Sequence, residues 1–189
     1  DPERREVWQT GPQSGDVTHA VAVVIGKAAD VHLIDDRGRP PRRVLIVTPA
    51  SLKAEWEEQI RKFSGLPLRL VFGGRALRSQ IYSETDAPFF TIANYEQIVA
   101  DSLDINARLR PDIVILDEAQ RIKNWSTKTA QAVKRLASRY AFVLTGTPIE
   151  NRIDELRSIV DFLDPAIFGP LFRFNREYYQ LDERGRPAD

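Results

Sequence analysis

From residue 43 to residue 163 short apolar runs alternate with amphipathic ones, and this alternation limits the fold more than any other feature of the chain. "RVLIVTP" reads as a buried strand, and "SLKAEWEEQIRKF" as a helix with Ser51 as its cap and Leu52, Trp56, Ile60 and Phe63 on one face. "LRLVF" is a strand, and "GGRALRSQIYS" a glycine turn opening into a helix. "PFFTIAN" and "YEQIVADSL" repeat the pair, "DIVIL" and "TKTAQAVKRLAS" repeat it again, and "YAFVLTGTP" leads to "RIDELRSIVDFL". Strands that are apolar throughout, each followed by a helix, predict an α/β fold of three layers: a mostly parallel sheet covered on both faces.

The first forty residues do not follow this pattern. "VTHAVAVVIGKAADVHLIDDRGRPPRR" carries two β-rich runs around Gly26-Lys27-Ala28-Ala29-Asp30, which suggests a hairpin and then an exposed connection. We place a boundary at residue 40, a main unit over 41–180, and a truncated connection over 181–189. Neither methionine nor a signal-peptide layout is present, so a piece of a longer protein is expected.

Composition narrows the chemistry. The 27 basic and 27 acidic residues cancel, so contact with a polyanion has to be local, through groups such as Arg42, Arg43 and Lys123. There is no cysteine, and His19 and His32 are the only imidazoles, which argues against thiolate and histidine-rich metal centres. No apolar run approaches the roughly 18 residues of a membrane span.

In open parallel sheets, ligands bind beyond the carboxyl ends of the strands. Four strands end there in polar, small or turn-forming residues: Thr48-Pro49-Ala50-Ser51, Asn94-Tyr95, Asp117-Glu118-Ala119-Gln120 and Thr145-Gly146-Thr147-Pro148. Each alone reads as a helix cap or a turn; four on one edge point to a site. The adjacent acids suit phosphate chemistry. Asp117 can hold Mg²⁺ through water, and Glu118 can orient or deprotonate the water that attacks a terminal phosphate.

Taken together, "RVLIVTPASLKAEWEEQI", "TIANYEQI", "VILDEAQRIKN" and "FVLTGTPIEN" resemble successive motifs of the Swi/Snf-type ATPases, DNA translocases of helicase superfamily two. The resemblance covers about residues 43–180, and its DEAQ form is similar to bacterial members. It implies a first RecA-like lobe, ATP and Mg²⁺ as cofactors, double-stranded DNA contacted without sequence preference, a second lobe as partner, and a place in the cytoplasm on the nucleoid. Carried over, Asp117 would coordinate Mg²⁺, Glu118 would position the water, and Gln120 would sense the nucleotide and the second lobe. Thr145, Gly146 and Thr147 would couple hydrolysis to lobe movement. Thr48, Pro49, Ser51, Asn94 and Tyr95 would lie along the DNA backbone, with Lys123 and Asn124 assisting coupling or DNA contact.

The phosphate loop implied by the resemblance has one candidate here, Gly26-Lys27, with Lys27 for the terminal phosphates. Val21 stands where the first glycine belongs and Ala28 where Ser or Thr belongs, so a plain turn between strands is the alternative. The first forty residues are open to three readings: a divergent replacement, a deletion or frame change, or a degenerate lobe. The leading expectation is therefore a motor lobe inactive as an isolated fragment. Beside it stand a non-catalytic pseudo-ATPase module and, leaving "LTGTPIEN" unexplained, an unrelated flavodoxin-like enzyme.

Overall fold

The computed structural model describes residues 6–7, 39–146 and 153–169. Within them six strands form one sheet: β1 (Glu6–Val7), β2 (Val44–Thr48), β3 (Leu68–Leu70), β4 (Phe90–Asn94), β5 (Ile113–Leu116) and β6 (Tyr140–Val143). Their order is β1-β6-β5-β2-β4-β3, and every pairing is parallel. The helices are α1 (Lys53–Phe63), α2 (Arg75–Ser83), α3 (Tyr95–Asp104), α4 (Lys128–Lys134) and α5 (Ile153–Leu163).

The three layers follow from the pleat. Successive strand residues point to opposite faces, so an unbroken apolar run must feed two cores. Leu45 and Val47 enter one core with Val114, Leu116 and Ala141, where α2 to α5 contribute Tyr82, Ile98, Val133 and Phe162. Val44 and Ile46 enter the other with Ile113, Ile115, Phe90 and Phe142, and α1 covers them with Trp56 and Ile60.

Three details depart from the sequence reading. Ser51 does not cap α1; a 3₁₀ turn over Ala50–Leu52 precedes that helix, and no side chain caps either element. Phe63, expected on the buried face, is 46% exposed at the helix end. The two-residue strand β1 pairs with β6 at the sheet edge, Glu6 beside Tyr140, where no strand was expected. The hairpin expected around Gly26-Lys27 and the connection over 181–189 lie outside the described residues.

Candidate functional site

The strand register sets the site. Thr48 pairs with Asn94, Val47 with Leu116, and Leu116 with Val143, so the four expected strand ends share one edge. The ladder continues past the last strand residues: the Asp117 N–H donates to Val47 O at 2.8 Å, and the Ala119 N–H to Leu144 O at 3.0 Å. Asp117 and Thr145 therefore follow neighbouring strands, as the sequence predicted.

Asp117 is buried. Its Oδ2 accepts from Thr48 Oγ1 and from Trp56 Nε1, each at 2.8 Å. The Tyr95 hydroxyl donates to the Asp117 carbonyl at 2.6 Å. Burial holds the Asp117 carboxyl above the usual aspartate range, against the pull of the Trp56 and Thr48 hydrogen bonds, and the Glu118 charge adds to the rise. A carboxyl raised in the folded state contributes stability that is present at low pH and is lost as pH rises through the raised value. When ionised, Asp117 thus sits at a cost that a cation would offset.

Glu118 has φ 54° and ψ 50°, the left-handed region that costs a non-glycine residue about 1–2 kcal/mol. This turn reverses the chain at the end of β5 and starts the 3₁₀ turn over Ala119–Ile122. The Gln120 amide nitrogen donates to Glu118 Oε2, and its Oε1 accepts from Thr145 Oγ1 at 2.8 Å. An ionised carboxylate only accepts, so the amide must turn its NH₂ to Glu118 and its carbonyl to Thr145. One amide thereby joins Glu118 to the end of the neighbouring strand.

The residues assigned to DNA fall into two groups. Ser51, Lys123 and Asn124 are exposed, but Thr48, Pro49 and Tyr95 are buried. The side chains of Thr48 and Tyr95 turn inward to Asp117, the first donating to its carboxylate and the second to its main-chain carbonyl. Asn94 caps α3: its side chain accepts from the Gln97 N–H and Gln97 Oε1 accepts from the Asn94 N–H, both at 2.9 Å. Asn124 Oδ1 holds a local turn through the Ser126 N–H and hydroxyl. Arg42 and Arg43 precede β2, at the opposite end of the sheet, where Arg43 donates to Leu109 O. They are not at this edge. Gly146 is exposed beyond β6, while Thr147 and Lys27 lie outside the described residues.

Two side chains at this edge went unassigned in the sequence. Trp56 was read only as core, although a buried indole N–H needs an acceptor. Lys53 donates to Val71 O and reaches Gln97 Oε1 at 3.4 Å, and burial lowers its pKa from the usual lysine value.

The donor set fits Mg²⁺ brought in with a nucleotide. Both side-chain donors to Asp117 fall on Oδ2, so no side-chain donor competes with a hydrated cation at Oδ1. Among the described residues there is no cluster of three or more His, Cys, Asp or Glu that could hold a metal. Mg²⁺ in phosphate sites needs no such cage, since one or two carboxylates, water and the phosphates complete its shell.

Comparisons agree with this geometry. A sequence model of the SNF2-related domain matches residues 9–186. The chain is 31% identical over 147 residues to the DNA repair and recombination protein RAD54B of Gallus gallus, covering 77% of this chain and 16% of that protein. It is 30% identical to the putative ATP-dependent helicase/translocase YwqA of Bacillus subtilis, covering 81% and 17%. The chain thus spans less than a fifth of the length of these relatives. The SWI2/SNF2 ATPase core of Sulfolobus solfataricus, solved in complex with dsDNA, superposes with a TM-score of 0.72 at 28% identity, covering 95% of this chain and 35% of that one. With this match over nearly its whole length, the RecA-like sheet and the DEAQ strand end, the chain belongs to the SNF2-related domain family.

Proposed function

We propose that residues 41–180 act as the first ATPase lobe of an ATP-dependent DNA translocase. The observation that carries this reading is the linked set Glu118, Gln120 and Thr145 beside Asp117. Asp117 would hold the Mg²⁺ of MgATP, and Glu118 would orient and deprotonate the attacking water. Bound Mg²⁺ supplies charge neutralisation on the phosphates. Gln120 joins Glu118 to Thr145, so a movement of the 145–147 segment reaches the acid through a single amide. Lys27, from the first forty residues, is the candidate for the terminal phosphates, and a second RecA-like lobe would supply the remaining charge. Such a motor would work in the cytoplasm, on nucleoid DNA. Among the described residues no helix is long and apolar enough to cross a membrane.

Duplex DNA would run over Ser51, Asn94, Lys123 and Asn124. Hydroxyls, amides and main-chain groups of this kind position a backbone without reading bases. With net charge zero, the 189-residue chain should bind duplex DNA weakly and without sequence preference. At two or three phosphate contacts, its affinity should fall about 10- to 50-fold between 50 and 200 mM salt. Fluorescence anisotropy with two unrelated duplexes tests this. Tight, salt-insensitive binding to only one of them would refute the DNA reading.

A pseudo-ATPase module is the second reading, favoured by Val21 and Ala28 in the candidate phosphate loop. It predicts duplex binding with no nucleotide binding in the full-length protein.

A further inference from the structure

We propose that Trp56 is a positioning residue for the metal carboxylate: with Thr48 it clamps one oxygen of Asp117 and so sets the direction in which the other meets a hydrated divalent cation. This inference rests on the reading of Asp117 as the Mg²⁺ residue.

Trp56 lies on the inner face of α1 and is fully buried. An indole has one donor and no acceptor, and in a core that donor has to find a partner. Its partner here is a carboxylate on another element: Nε1 lies 2.8 Å from Asp117 Oδ2. Thr48 Oγ1 approaches the same oxygen at 2.8 Å from the end of the adjacent strand β2. One donor would leave the carboxylate to pivot about its last bond; two donors from different directions on one oxygen stop that rotation. Both donors are themselves held in place, because Thr48 is fully buried at the sheet edge and Trp56 is fully buried in the same core cluster as Ile46, Ile60, Ile92 and Ile115. The Tyr95 hydroxyl, 2.6 Å from the Asp117 carbonyl, fixes the main chain of the same residue. The second oxygen, Oδ1, receives no side-chain donor, and the only further donor to the carboxylate among the described residues is the Glu118 main chain, so a cation's water can approach it. Groups that orient a metal ligand in this way typically carry about 10- to 100-fold in metal affinity.

The test uses the 189-residue chain with Mn²⁺ and ATP as probe. Protein-bound Mn²⁺ is counted from the electron paramagnetic resonance of the ion left in solution, after subtracting the uptake by the same ATP without protein. The indole N–H signals are read in a ¹H–¹⁵N spectrum, with the Trp56 signal identified as the one that persists in both Trp8→Phe and Trp125→Phe. Three results are expected together. Mn²⁺ broadens the Trp56 signal in the wild-type chain, Asp117→Asn abolishes both binding and broadening, and Trp56→Phe weakens Mn²⁺ binding about 10- to 100-fold with an unchanged far-ultraviolet circular dichroism spectrum. If Trp56→Phe binds Mn²⁺ like the wild type while Asp117→Asn does not, the clamp is wrong and the Asp117 reading stands. If Mn²⁺ fails to bind, or binds equally to Asp117→Asn, both are wrong. Should Trp56→Phe not fold, the wild-type spectrum decides: Asp117-dependent Mn²⁺ binding that leaves the Trp56 signal sharp overturns the clamp.

Discussion

Glu118→Gln, in a protein where this lobe is joined to a second lobe and an intact phosphate loop, should lower ATP turnover by about 100- to 10,000-fold and largely spare ATP binding. The magnitude is that of a removed general base. Gln keeps the size of Glu and can still face Gln120, but it cannot take the proton of the attacking water. The left-handed backbone at residue 118 is the same constraint for both side chains, so the fold should tolerate the change. Single-turnover hydrolysis and nucleotide-binding isotherms separate the two quantities. A variant that hydrolyses ATP at the parental rate would remove Glu118 from the reaction.

Asp101→Ala should cost about 3–5 kcal/mol of stability, the typical penalty for stranding one partner of a buried ion pair. Asp101 is 2% exposed and receives both prongs of the Arg78 guanidinium, Nε at 2.5 Å and Nη2 at 2.9 Å, together with the Tyr82 hydroxyl at 3.1 Å. This fork ties α2 to α3, and Arg78 Nη1 reaches back to Gly73 O at 2.8 Å. Losing the carboxylate leaves a part-buried guanidinium and a buried hydroxyl without their acceptor. The exposed pair Arg61–Glu57 is the control, where Glu57→Ala should change stability by less than about 1 kcal/mol. Urea denaturation measures both. Equal losses for the two variants would contradict the argument.

What could be read from the sequence, and what could not, follows from physics. Strands β2, β4, β5 and β6 are buried on both faces, so their apolar runs were unambiguous, and the polar residues that end them marked one edge. Trp56 and Tyr95 were harder to place. Helical periodicity shows that Trp56 faces inward, but its partner lies 61 residues away, which local pattern does not encode. Ser51 had the right chemistry for a helix cap, yet the chain enters α1 through a 3₁₀ turn that needs no cap. Glutamate rarely takes a left-handed conformation, so the strained turn at Glu118 had no local signal. The β1 pairing is too short for any periodicity. Arg42 and Arg43 were counted as DNA-facing because composition alone cannot say at which end of a strand a charge stands.

Phosphate release from MgATP tests the central claim most directly, measured for the 189-residue chain and for a protein containing both lobes, each with and without duplex DNA. The account predicts negligible release by the 189-residue chain in either condition. In the proposed reading Asp117, Glu118, Gln120 and Thr145 form only part of the site, and an arginine finger supplied by the second lobe would alone be worth about 10³–10⁵ in rate. The two-lobed protein should hydrolyse ATP with stimulation by duplexes of unrelated sequence. Brisk release by the 189-residue chain, lost on Lys27→Ala, would show that this lobe carries a working phosphate loop and contradict the account.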